Sequence, residues 1–406
     1  MKTILASAYA INPYKGSEDG MGWNFVLQIA KNNQVMAITR ENNRPHIEKY
    51  IAENPNALYQ QIQFLYFDLP YWMRFWKKGG RGAMLYYILW QYAIVNFIKQ
   101  KKLHFDIVHN LNFHNDWTPS FLWKLKKPFV WGPIGHHPFI PSQYLKVYAI
   151  KNKIVDRLTW LVKKYFWNFS FSLFQTKRKA DHVLCMNSNV PQQLSLENNF
   201  SIAPSVATQD FGWEMQQDAQ SDFSVISAGR FVPLKGFDLT IESFAAFVRA
   251  LPYEDKLKCH LYLVGSGPEE ALLKKLISKH DITSQVKIIS WIERDALMKK
   301  FKSASVFLFP SHEGAGMVVA EALSFGLPVI CLDNEGPGQF IKDSCGIAVP
   351  SSTYNETVQN LAQGLNTLFY DRQKRQEMRV AARQRFIDVF HWDRRGEQLQ
   401  KIYSNL

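Results

Sequence analysis

The chain has 406 residues, 47% hydrophobic and 20% charged. That balance excludes a disordered chain, and the length exceeds what one hydrophobic core ordinarily absorbs, so two domains are expected. A formal net charge of +13 favours acidic partners, whether phosphorylated substrates, anionic lipid or nucleic acid, while Cys185, Cys259, Cys331 and Cys345 lack metal-ligand spacing and read as reduced core residues.

In chain order, residues 3–9 form an apolar run closed by Asn12-Pro13, with no plausible cleavage site behind it. It reads as a first strand rather than a secretory leader. Further strand candidates lie at 34–39, 63–67, 106–110, 128–131 and 182–187. Two helical stretches between them are unusual. Residues 71–102 hold seven cations and no acid among many aromatics, including Trp72, Phe75, Trp76 and Trp90, and residues 146–179 are similar. Cations interleaved with Trp and Phe suit an anionic membrane surface. The longest apolar stretch, 83–98, contains Gln91 and Asn96 and is shorter than the ~20 residues a spanning helix needs. No motif supports nucleic-acid binding. A polar stretch, 205–222, reads as a linker, and a second strand series follows at 224–228, 260–264, 286–290, 306–309, 328–332 and 346–349. Alternation of this kind predicts an α/β chain of two doubly wound Rossmann-like domains facing across a cleft, 1–204 and 205–390, with a C-terminal helix at about 391–406 packing back on the first.

The second series carries the strongest chemistry. The strand ending at Phe309-Pro310-Ser311 opens into His312-Glu313-Gly314-Ala315-Gly316-Met317, and a helix from Val318 carries Glu321. A helix start offers unpaired amides and a positive dipole end to an anion. Glu321 interrupts an otherwise apolar helix, so it needs a partner or a ligand. Upstream, Gly229-Arg230 and Lys235-Gly236 place two cations on one strand-end loop, where they can grip a diphosphate. Val264-Gly265-Ser266-Gly267 is a further strand-to-helix turn whose glycines admit a nucleotide.

These segments, in this order and spacing, resemble family 4 of the glycosyltransferases, which have the GT-B fold. The likeness is specific mainly over 224–350. It implies that Arg230 and Lys235 hold the donor diphosphate and Glu313 contacts the donor sugar. It also implies that amides from Gly314 through Ala315, Gly316 and Met317 to Val318 bind sugar and phosphate, and that Glu321 binds the ribose hydroxyls. Gly229, Gly265 and Gly267 line the same loops. In the first half, Gly16 and the residues to Trp23 are similar to the family's glycine-rich donor loop. The Trp131-Gly132-Pro133 strand end marks a branch in which the histidine near the sugar is not fixed, leaving His109, His114, His136 and His137 as candidates. The resemblance implies retention of anomeric configuration and no metal, and the chain has no Asp-x-Asp triplet. Expected partners are a nucleotide sugar, a glycan or lipid-linked acceptor and an anionic membrane surface. The expected place is the cytoplasm, with no cofactor beyond the sugar nucleotide as co-substrate. A non-catalytic sugar-nucleotide binder is the rival reading. An NAD-linked oxidoreductase is disfavoured, because no dinucleotide fingerprint follows the first strand.

Overall fold

A computed structural model describes the chain except residues 78, 80, 81, 113, 114, 215–221 and 291. Two separate parallel sheets form. The first contains β1 (Thr3–Ser7), β2 (Gln34–Thr39), β3 (Ile62–Tyr66), β4 (Ile107–Asn110), β5 (Phe129–Ile134), β6 (His182–Cys185) and β7 (Phe200–Ile202), in the order β3-β2-β1-β4-β5-β6-β7. The second contains β8 (Phe223–Ala228), β9 (Cys259–Val264), β10 (Val286–Ile289), β11 (Val306–Phe309), β12 (Val329–Asp333) and β13 (Gly346–Pro350), in the order β10-β9-β8-β11-β12-β13. Strands β4 and β11 are buried at every position. Near-continuous apolar runs of this kind belong to parallel strands covered on both faces. In each sheet the winding reverses beside the first strand, at β1/β4 and at β8/β11. At such a point the loops leaving the strand ends diverge and open a crevice for a ligand.

The chain divides into two compact units. One comprises Met1–His136, Leu161–Ser205 and Trp392–Leu406; the other comprises His137–Trp160 and Val206–His391. Residues 137–160, which sequence reasoning assigns to the first domain, pack with the second. The Tyr144 hydroxyl bonds Ser352 O at 2.9 Å and Thr357 Oγ1 at 2.8 Å. The Tyr148 hydroxyl donates to Asp238 at 2.5 Å and Asn152 donates to Glu269 at 2.9 Å. Burial pushes the Asp238 carboxyl up to about 6, against the pull of Tyr148 and Tyr354. Helix Trp392–Ser404 returns to the first unit. There Trp392 meets Phe25 edge-on at 5.2 Å, and Lys31 pairs with Asp393 at 2.5 Å.

Helix Ala83–Gln100 buries Tyr86, Tyr87, Trp90, Ile94 and Val95, so three of the nine aromatics of the segment 71–102 are core, and Trp76 and Phe97 pack partly buried against it. Tyr71, Trp72 and Phe75 stay exposed, and Lys78 and Arg81 lie outside the described residues. Among the described residues no helix is long and apolar enough to cross a membrane.

Candidate functional site

The loop leaving β8 organises the second unit's crevice. Phe231 is fully buried. Its amide donates to Ser266 O at 2.9 Å and its carbonyl accepts from Glu269 N at 3.2 Å, which ties this loop to the one leaving β9. Gly265 has φ +149°, and a Cβ there would lie 1.9 Å from Gly229 O; a Cβ on Gly267 would lie 2.4 Å from Phe231 O. These glycines therefore serve close packing of two loops. This packing demand fixes glycine at both positions independently of the nucleotide expected at the same turn. Gly236 ends the turn Pro233–Lys235 at φ +66°, with space for a Cβ taken by Pro310 O at 2.0 Å. Only glycine meets both demands.

The loop leaving β11 is fastened to the same turn. His312 N and Ser311 Oγ both donate to Leu234 O, at 2.9 and 3.1 Å. Asn334, beyond β12, donates to Ser311 O at 2.8 Å and accepts from Gly336 N at 3.0 Å. The His312 ring lies 4.9 Å from that of Tyr144, and burial lowers its pKa to about 4, so it is neutral.

On this frame Lys235 and Glu313 form an ion pair, their side chains 15% and 13% exposed. The Lys235 ammonium also sits 5.2 Å from the Phe309 ring centroid. Arg230 is exposed on the same loop. Gly314 N donates to His137 Nδ1 at 3.2 Å, an acceptor role that puts the ring proton on Nε2. Ala315, Gly316, Met317 and Val318 form the entry to helix Met317–Ser324, where no side chain caps the N-terminus and no acid occupies the first turn. Lower on that helix Glu321 is buried and accepts from Arg294 Nη2 at 2.6 Å. Burial raises the Glu321 carboxyl and Arg294 opposes the rise. The partner that a buried acid requires is thus a cation of the chain itself.

In the first unit, Gly16 is extended and starts helix Ser17–Ala30, whose first turn carries Glu18 and Asp19. Gly20 and Gly22 press on Lys15 O and Ala10 O. The glycines of that loop are packing contacts, and its acids oppose an anion at the helix start. His109 is corrected as a sugar contact. It is fully buried, with Nδ1 2.5 Å from the Tyr403 hydroxyl and Nε2 2.6 Å from Gly132 O, and burial lowers its pKa to about 3. His114 lies outside the described residues. His136 is held by Asp116, whose Oδ2 is 2.7 Å from Nδ1, and its ring stacks on Trp167 at 5.6 Å.

The structure thus gathers Gly229, Arg230, Lys235, Gly265, Gly267 and Glu313 onto loops of one sheet edge, with His137 bonded to Gly314 there. It leaves Gly16, His109 and His136 in the other unit. Sequence reasoning missed Arg294, Asn334 and Asp116. The need for Arg294 was visible in Glu321, but its address was not.

Residues 214–385 match the family model described as Glycosyl transferases group 1. Over 184 residues the chain is 29% identical to the GDP-mannose-dependent monoacylated alpha-(1-6)-phosphatidylinositol monomannoside mannosyltransferase of Corynebacterium glutamicum, covering 43% of this chain and 45% of that one. It is also 29% identical over 177 residues to the lipopolysaccharide core biosynthesis glycosyltransferase LpsE of Rhizobium meliloti, covering 41% and 48%. The chain therefore spans a little under half the length of these curated relatives. The crystal structure of Anabaena HepE in complex with UDP superposes with a TM-score of 0.63 at 15% identity, over 100% of both chains. The fold is that of the GT-B glycosyltransferases.

Proposed function

We propose that the chain is a retaining, metal-independent glycosyltransferase of the family 4 type. It moves a sugar from a nucleotide-diphosphate donor to a hydroxyl of a glycan or lipid-linked acceptor, in the making of a surface polysaccharide or lipopolysaccharide. One observation carries the reading: Lys235 and Arg230 lie on the loop leaving β8, with Glu313 paired to Lys235 from the loop leaving β11, at the crevice where the second sheet reverses its winding. Negative charge builds on the leaving diphosphate as the glycosidic bond breaks, and fixed cations at that position lower the barrier most. Arg230 meets the phosphates through its fork and Lys235 as a point charge. The amides from Ala315 to Val318 take the remaining phosphate and sugar oxygens, Glu313 orients the sugar, and Glu321, steadied by Arg294, faces the ribose. Asp116 orients His136, so His136 is assigned to the sugar or acceptor side, and His137 steadies Gly314.

The UDP held by the Anabaena protein and the GDP-mannose named for the Corynebacterium relative support a nucleotide donor. Incubation with UDP-, GDP- and ADP-sugars tests the reading. Donor hydrolysis or transfer is expected, with the anomeric configuration retained by NMR and the rate unchanged by EDTA. Binding of UDP or GDP without any turnover would favour the non-catalytic binder instead.

A further inference from the structure

Helix Ile150–Phe169 carries its apolar face on the outside. Ile150, Ile154, Leu158, Leu161, Tyr165 and Phe169 recur every three or four residues, and each is 53–75% exposed. That spacing keeps them on one side of the helix. Its other side turns a mixed set inward: Lys163 is buried, and Trp167 stacks on the His136 ring. The stripe continues beyond the helix in Phe171 and Phe174, 71% and 48% exposed. A row of aliphatic and aromatic side chains in water is costly, and on a soluble surface it marks a place that something covers.

The charges around the stripe identify the cover. Lys153, Arg157 and Lys164 share one flank of the helix, and Lys177, Arg178 and Lys179 follow. Asp156 is the one acid in residues 138–179, and it accepts from Arg157 at 2.7 Å. A second copy of the chain would bring cationic flank against cationic flank. Nucleic acid would use the lysines but not the aliphatic Ile and Leu side chains, which have no base to stack on. An anionic bilayer satisfies both features, because aliphatic and Phe side chains enter the acyl boundary while lysines reach lipid phosphates.

We propose that the outward face of helix Ile150–Phe169, extended by Phe171 and Phe174, is a docking surface for an anionic lipid bilayer, on which the chain rests in the plane of the headgroups. The proposal does not depend on the sugar-nucleotide assignment.

Sedimentation with vesicles of phosphatidylglycerol and phosphatidylethanolamine, against pure phosphatidylcholine, tests it on the full chain. Binding is expected to the anionic vesicles and to fall in high salt. Lys153→Gln with Lys164→Gln should weaken it about thirtyfold, each lysine near the surface being worth about fivefold. Leu158→Gln with Leu161→Gln should weaken it at least about tenfold, and Lys49→Gln, on another helix, should change nothing. All these side chains are outside the core, and unchanged melting curves will show that the variants fold. Because the four natural cysteines are buried, Val162→Cys can be labelled selectively with a polarity-sensitive dye. Its emission should shift to the blue on anionic vesicles. Binding to neither vesicle, equal binding to both, or binding indifferent to the helix variants overturns the proposal. So does a dimer in sedimentation velocity that the leucine variants dissolve while vesicles are ignored.

Discussion

The two sheets share a strand order, and each reverses its winding beside its first strand, yet the two crevices are finished differently. In the first unit many of the polar groups are consumed within the chain, with Asn110 at the end of β4 an exception. Both His109 nitrogens have partners in Tyr403 and Gly132, the glycines after β1 press on backbone carbonyls, and the helix start carries Glu18 and Asp19. In the second unit, backbone bonds between loops do the fastening, and the cations Arg230 and Lys235 remain at the rim. Topology supplies an opening in both cases; which groups remain unspent decides its chemistry.

Four tests would break or sharpen that contrast. Gly265→Ala should cost the most, about 4 kcal/mol, because a Cβ at φ +149° meets Gly229 O at 1.9 Å and strain adds to overlap. Denaturant unfolding measures it, and a loss under 1 kcal/mol would mean the loops are not locked together. Arg294→Ala should lower stability by about 2–3 kcal/mol, since it strands the buried Glu321. Glu321→Gln in the same background should recover part of the loss. Lys235→Ala should weaken UDP or GDP binding by about 1.5–3 kcal/mol in calorimetry. His136→Asn should leave that affinity intact and lower turnover instead, as should Glu313→Gln. Equal affinity losses from Lys235 and His136 variants would erase the distinction between the units.

The fourth concerns a property the units share. Each holds a buried neutral histidine, His109 lowered to about 3 and His312 to about 4. The unfolded chain binds these protons below pH 6.5 and the native one refuses them, so the stabilisation present above 6.5 is lost as pH falls. Each should cost about 1.4 kcal/mol by pH 5.5. Asp238, raised to about 6, works in the opposite sense and offsets part of it. Melting curves of His312→Gln between pH 7 and 5 should be visibly flatter than those of the parent.

Strands were legible because parallel strands buried on both faces are short apolar runs. All twelve expected strands form, and β7 escaped because three residues, Phe200–Ile202, carry too little pattern. The loops of the second sheet were legible as well, since glycines and cations cluster in one stretch of sequence around each strand end. What sequence hides is contact across distance. Nothing local marks Arg294 as the partner of Glu321, Asn334 as the brace of Ser311, or Tyr403 as the lid on His109. Aromatic abundance in 71–102 suggested a surface, but helical phase turned Tyr86, Tyr87 and Trp90 inward. In 150–169 a different phase leaves Tyr165 and Phe169 exposed beside the aliphatic stripe, while Phe166 and Trp167 pack against the core.

Helix Trp392–Ser404 completes the first unit from the far end of the chain, and this sets an order of events during synthesis. When residues 1–205 leave the ribosome, His109 has no Tyr403 hydroxyl, Phe25 has no Trp392, and the Lys2 ammonium lacks the Tyr403 carbonyl it later reaches at 2.7 Å. That half must wait, with a bare apolar seam, while residues 206–391 emerge and fold. A ribosome stalled anywhere in the second unit therefore presents two unfinished domains to the chaperones, and only emergence of helix Trp392–Ser404 lets the first one close.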